Sequence, residues 1–197
     1  MPRRPPDPDR QRVIPPLDGA GLERLALAYV GRYATTRAKL RAYLLRKLGE
    51  RGWGGEGAPP VEPLIARCAD YGYVDDRQFA TMRAAALSRR GYGPRRVGDA
   101  LRAAGVEPDD AAPARATAGD DALATALAYA RRRRIGPHAP APLDPDRRRK
   151  ALAAMLRAGH DFTIARRIIE MAPGDIPDET AETDGKMSLN EDDGTWF

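Results

Sequence analysis

This sequence predicts an all-α fold, an elongated tandem array of three three-helix, helix-turn-helix-like repeats, on three observations. Sheet patterns are missing: valine and isoleucine are scarce, and no run of four to eight residues alternates cleanly between apolar and polar. Ala, Leu and Arg abound instead, with only 6% aromatic residues, which suits slender helices that approach one another closely. The stretch Arg89 to Gly105, RRGYGPRRVGDALRAAG, then writes one helix out in full. Gly93 fits its cap and Pro94 its first turn, where a missing N–H costs nothing. Val97, Leu101 and Ala104 share one face, and Gly105 can take the left-handed conformation that closes a helix. That ending is written three times, as Leu48 to Gly52, Leu101 to Gly105 and Met155 to Gly159, with the glycines 53 and 54 residues apart. A fixed period of this length marks an array of supersecondary units.

Taken in order, residues 1–19 are rich in Pro, Arg and Asp and are expected to form a disordered arm. The first unit, 20–73, opens with Leu22, Leu25, Ala26, Tyr29, Val30 and Tyr33 at amphipathic spacing. Thr35 or Thr36 can cap the next helix, whose inward face is Leu40, Tyr43, Leu44 and Leu48 and which Gly52 ends. After a flexible loop from Gly52 to Pro60, Val61, Leu64, Ile65 and Cys68 line a third helix closed by Gly72. The second unit, 74–118, begins at Asp75 or Asp76 with Phe79, Met82, Ala86 and Leu87 inward, breaks at Gly91, continues through Gly93 to Gly105, and ends in an Ala-rich helix from about Pro108 to Ala118. The third unit, 119–173, begins at Asp120 or Asp121 with Leu123, Ala126, Leu127 and Ala130 inward. A proline-rich loop, Ile135 to Leu143, leads to a helix capped by Asp144 and Pro145 that carries Leu152, Met155 and Leu156. Phe162, Ala165, Ile168 and Ile169 mark the last helix, which stops at Pro173-Gly174 before an acidic tail, 174–197, expected to be disordered.

Charge is split along the chain. The net +5 resolves into +12 over residues 1–172 and −7 from Pro173 onward. A basic body suggests a polyanionic partner, either nucleic acid or an acidic protein surface, for which the tail can compete. The single cysteine, Cys68, excludes an internal disulfide framework and a cysteine-based zinc site. A reducing cytoplasm is the expected compartment. The basic N-terminus has no apolar run behind it, so it does not read as a secretory signal, and no stretch approaches a membrane span.

Residues that often carry chemistry read as structural. Asp75 and Asp76 are neighbours that cannot face the same way on a helix, and Asp before a helix is a common cap. His138, His160 and Cys68 are far apart, so neither a metal site nor a Cys-His nucleophile is expected, and no cofactor. Gly52-Trp53-Gly54-Gly55 follows a helix and lacks the lysine and Ser/Thr of a phosphate loop. The basic clusters carry more. Arg89, Arg90, Arg95 and Arg96 sit around one helix junction, Arg131, Arg132, Arg133 and Arg134 at another, and Arg147, Arg148, Arg149 and Lys150 at the start of the following helix. By the repeat alignment they can form a stripe across two neighbouring units, either a solvated face or a surface for phosphates or acidic patches. Tyr92, Tyr73 and Trp53 lie near these junctions and either pack there or stack on bases.

The segment Gly72-Tyr73-Val74-Asp75-Asp76-Arg77-Gln78-Phe79-Ala80 resembles the signature of the RecX family, which reads approximately GYLDDxRFA. The resemblance continues through Gly93-Pro94-Arg95-Arg96-Val97, Leu101, Gly105-Val106 and Leu156-Arg157-Ala158-Gly159, and covers about residues 22–172. Outside that segment two positions depart from the pattern: His160 stands where the family usually has Phe, and Lys39 where it usually has Glu. The resemblance implies tandem three-helix repeats and a modulator rather than an enzyme. Proteins of this family bind the RecA recombinase, lie in the groove of its filament on DNA or cap its growing end, and depress strand exchange and ATP hydrolysis in DNA repair and SOS regulation. For this chain it implies a monomer that contacts RecA, and single- or double-stranded DNA weakly and without sequence preference. A stand-alone helix-turn-helix DNA-binding protein is the alternative reading.

Overall fold

The computed structural model describes residues 15–176. Among them are nine α-helices: α1 (Gly19–Val30), α2 (Arg37–Arg51), α3 (Val61–Asp70), α4 (Asp76–Ser88), α5 (Pro94–Ala103), α6 (Pro108–Asp120), α7 (Ala122–Arg133), α8 (Pro145–Arg157) and α9 (Phe162–Glu170). Pro94, Pro108 and Pro145 each open a helix at a position that needs no N–H donor. Side-chain oxygens of Asp18, Thr36, Asp75, Asp144 and Asp161 accept from backbone N–H groups of the first turns they precede. The repeated glycines Gly52, Gly105 and Gly159 all have positive φ, at 79°, 70° and 92°.

The apolar residues separate into three cores, one per consecutive trio of helices. Leu22, Ala26, Leu40, Leu44, Leu64 and Ile65 centre the first, and Val74, assigned by sequence to the second unit, also packs here. The second is built almost wholly from alanine around Leu87, Val97 and Leu101. Ala80 and Ala84 of α4 and Ala111, Ala114 and Ala118 of α6 are buried together. Small side chains on both helices let their backbones approach closely, which rescues a helix with Pro113 inside it. Met155, Ile168, Leu127 and Tyr129 dominate the third.

Several expectations are corrected. Residues 1–14 of the predicted arm lie outside the described residues, but Leu17 is 1% exposed in the first core. Its N–H donates to Gly52 O at 3.0 Å and its carbonyl accepts from Gly54 N–H at 2.9 Å, so the arm's end and the Gly52 loop hold one another. Tyr33 is 52% exposed because α1 stops at Val30. Met82 is 50% exposed, since the face of α4 that meets the core is set by Ala80, Ala84 and Leu87, and Met82 lies two residues, about half a turn, from both alanines. Phe162, the first residue of α9, is 51% exposed. Asp121 precedes α7 without a side-chain capping bond. The Ile135 to Leu143 stretch is more than a loop: Ile135, Gly136, Pro137 and Ala139 are buried around a 3-10 turn.

The units join by the same device twice. The C-terminal end of α5 meets the cap of α2, where Thr36 Oγ1 donates to Ala104 O at 2.6 Å. The C-terminal end of α8 meets the cap of α5, where Gly93 N–H donates to Ala158 O at 3.0 Å and Arg95 N–H to Gly159 O at 3.2 Å. Orphan carbonyls at one helix end thus satisfy donors at the start of another, and the dipoles run head to tail through α8, α5 and α2. The approach requires glycine: a Cβ on Gly105 would strike that of Ala38, and one on Gly159 the backbone of Arg96. At the first junction the Asp76 carboxylate, 3% exposed, also accepts from Arg37 N–H at 2.9 Å, while the Arg37 side chain reaches Asp76 and Asp110. At the second, buried His160 places Nε2 3.1 Å from Gly91 O, so that ring nitrogen is the donor and Nδ1 has no partner.

Candidate functional site

The paired helix ends leave two adjoining hollows along the junctions. One, of about 330 Å³, is lined by Arg90, Tyr92, Tyr129, Arg132, Arg133, Ala154, Arg157 and Ala158. The other, of about 580 Å³, is lined by Lys39, Arg83, Leu87, Arg90, Tyr92, Arg96, Asp99, Ala100, Ala103 and Ala104. Their shared residues, Arg90 and Tyr92, join them into one groove that crosses all three units. Repetition makes the groove: Ala100, Ala103 and Ala104 of α5 hold the positions that Ala154, Arg157 and Ala158 hold on α8. Lys39 and Arg96 are likewise each the third residue of α2 and α5.

Seven cations line the groove against one acid, Asp99, which pairs outward with Arg102. None of the seven is in an ion pair with a described residue. Four of them are held by softer contacts. The Arg90 guanidinium lies 5.6 Å from the Tyr92 ring centre, that of Arg133 5.7 Å from Tyr129, and Lys39 Nζ 4.9 Å from Phe79. An Arg132 N–H donates to Arg90 O across the junction. Positive charge concentrated in a concave surface, unpaired by carboxylates of the described residues, is a receptor for an extended anion.

The predicted stripe is thus partly assembled. Arg90, Arg96, Arg132 and Arg133 come together in the groove, joined by Lys39, Arg83 and Arg157, which lie outside the stripe expected from sequence. Arg95 lines a separate hollow with Arg115 on the far side of α5, and Arg131 one beside His138. Arg147 and Arg149 are bound to Asp144 and Asp146, and with Arg148 and Lys150 they line neither hollow of the groove. Arg89 caps α4 and Arg134 caps α7 with φ of 54°; neither lines the groove. Of the three aromatics singled out by sequence, Tyr92 lines the groove, where Tyr129 joins it; Trp53 bonds Gly57 O at 2.9 Å, and Tyr73 pairs with Tyr71 away from it. In the signature segment, Asp75 caps α4, Asp76 ties the units, Ala80 is core, Phe79 packs against that core, and Gly72, at φ 71°, ends α3; Arg77 is exposed.

Burial pushes the His160 imidazole below its ordinary pKa, against a smaller upward effect of its bond to Gly91, and pushes the Cys68 thiol up. Among the described residues no cluster of His, Cys, Asp and Glu can hold a metal, and no helix is long and apolar enough to cross a membrane.

Residues 75–114 match the family description "RecX, second three-helix domain". Over 177 residues the chain is 34% identical to the regulatory protein RecX of Myxococcus xanthus, covering 84% of this chain and 91% of the relative. The chain belongs to the RecX family. The regulatory protein RecX of Escherichia coli O1:K1 is 37% identical over 70 residues, 36% of this RecX-family chain and 42% of that protein. The crystal structure of RecX from Lactobacillus salivarius superimposes with a TM-score of 0.56 at 18% identity, over 76% of this chain and 93% of that one, which shows a shared all-helical fold. The name of these relatives is that of regulatory proteins.

Proposed function

We propose that this RecX-family protein binds RecA filaments on DNA and depresses their recombinase and ATPase activity, working by contact alone. The observation that carries the reading is the groove: seven cations, none in an ion pair with a described residue, laid across three units in series. Its target is an extended polyanion, either the DNA strand within the filament or an acidic face of RecA that follows the filament's helix, and both make binding salt-sensitive. An array of repeats offers such a target a long surface in register with itself. Sequence-specific readout by a helix-turn-helix unit fits less well, because the first turn of α6 carries no cation and presents Asp109, which repels phosphate, beside Asp110, which is paired with Arg37. The protein is a monomer in this reading and acts where RecA acts, in the cytoplasm.

Co-sedimentation with RecA filaments assembled on single-stranded DNA tests this. The protein is expected to pellet with the filaments near 50 mM salt and to be released progressively by about 0.5 M. Failure to pellet at any salt concentration contradicts the reading.

A further inference from the structure

The groove does not end at Arg133. A third hollow, of about 770 Å³, is lined by Leu127, Ala128, Arg131, Arg132, His138 and Ile176, and Arg132 belongs to it and to the groove alike. Ile176 is the last described residue, and the stretch before it is pinned by Gly174 N–H donating to Pro137 O at 2.8 Å. The chain therefore passes out of the described residues beside Arg131 and Arg132. The sequence that follows, 177–197, carries seven acids between Asp178 and Asp193 and one lysine, Lys186, a net −6.

We propose that residues 177–197 dock in the cationic groove and compete there with external polyanions, an autoinhibitory contact that rests on the groove being the binding surface. Three observations meet in it. The charges are opposite and close to equal in number. The acids begin two residues past Ile176, within about 7 Å of it along an extended chain. A flexible tether of 21 residues would reach about 25 Å, a length that corresponds to an effective concentration in the millimolar range. A segment delivered at that concentration neutralises arginines that otherwise repel one another, and an incoming polyanion displaces it by offering more charge.

Docking is read directly by a nitroxide attached to Ser188→Cys in the full chain, since the native thiol, Cys68, is buried. Amide signals of Arg90, Tyr92, Arg132 and Arg133 broaden at low salt and recover by about 0.5 M, while those of Glu62, Leu64, Ile65 and Ala66 on α3 stay sharp. No selective broadening overturns the proposal, as does broadening that appears only between differently labelled molecules, which assigns the groove to another copy's tail. Changing the seven acids to Asn or Gln in the full chain then tightens binding to a 20-nucleotide oligo-dT about tenfold at low salt, with the two curves converging at high salt. Unchanged affinity overturns the inhibitory role. Charge reversal of Arg90, Arg132 and Arg133 tests the underlying reading separately: if it leaves oligonucleotide binding intact, the groove is not the binding surface, whatever the nitroxide reports.

Discussion

Replacing Gly93 with alanine separates the packing role of a glycine from its conformational one. Gly93 has φ −78°, which any residue adopts, so alanine brings no backbone strain. Its Cβ would nevertheless lie 2.5 Å from Gly159 O, 2.6 Å from its carbonyl carbon and 2.7 Å from His160 N, all rigid backbone. Restoring ordinary contact opens the junction by about 1 Å. That stretches three hydrogen bonds: Gly93 N–H to Ala158 O, Arg95 N–H to Gly159 O, and His160 to Gly91 O. At about 1 kcal/mol each, partly lost, with a similar overpacking term, the cost is about 2–4 kcal/mol. For a chain of this size that lowers Tm by roughly 6–12 °C. Gly72→Ala is the control: φ is 71° and nothing lies within 4 Å of the added carbon, so only strain of about 1 kcal/mol is expected. Circular dichroism melts read both, and hydrogen exchange at Gly93 and Arg95 localises the first. If G93A melts with the native protein, or G72A is the more damaging, the junction does not hold the units as described.

Two further outcomes follow from buried polar groups. Thr36→Val removes the bond to Ala104 and the cap of α2 and is expected to cost about 1–3 kcal/mol in urea unfolding, whereas Thr35→Val removes a buried hydroxyl that has no partner and is neutral or stabilising by up to about 1 kcal/mol. Because His160 is held neutral by burial, its folded pKa lies below the unfolded value of about 6.5. Its contribution is therefore complete above pH 6.5 and is lost as pH falls toward the folded value, the unfolded chain binding the extra proton. Stability measured from pH 7.5 down to 5 declines in the native protein and loses that component in His160→Phe; an unchanged profile in the variant contradicts the assignment.

The sequence was most explicit where one residue type decides the local backbone. Pro94, Gly105 and Asp144 mark helix ends by their own chemistry, and the period of Gly52, Gly105 and Gly159 marks the array. The junctions were not legible, because Thr36 meets Ala104, Asp76 meets Arg37 and Gly93 meets Ala158 only when two units dock. Leu17 was hidden among prolines, where composition argues for disorder although a single buried leucine anchors the segment. The groove was half visible. In the run Arg147 to Lys150, Arg147 and Arg149 pair with Asp144 and Asp146 at the start of their own helix, while Lys39, Arg83 and Arg157 stand apart in sequence and converge in space. The recurrence of a cation at the third position of α2 and α5 was the available signal for the groove.

The groove's part in regulation is tested most directly by the ATPase rate of RecA filaments on single-stranded DNA, titrated with the native protein and with a variant in which Arg90, Arg132 and Arg133 are glutamate. The native protein is expected to depress turnover at or below one copy per RecA. The variant, with an unchanged melting curve, is expected to need at least about tenfold more protein at low salt. Turnover unaffected by the native protein, or depressed equally by both, contradicts the account.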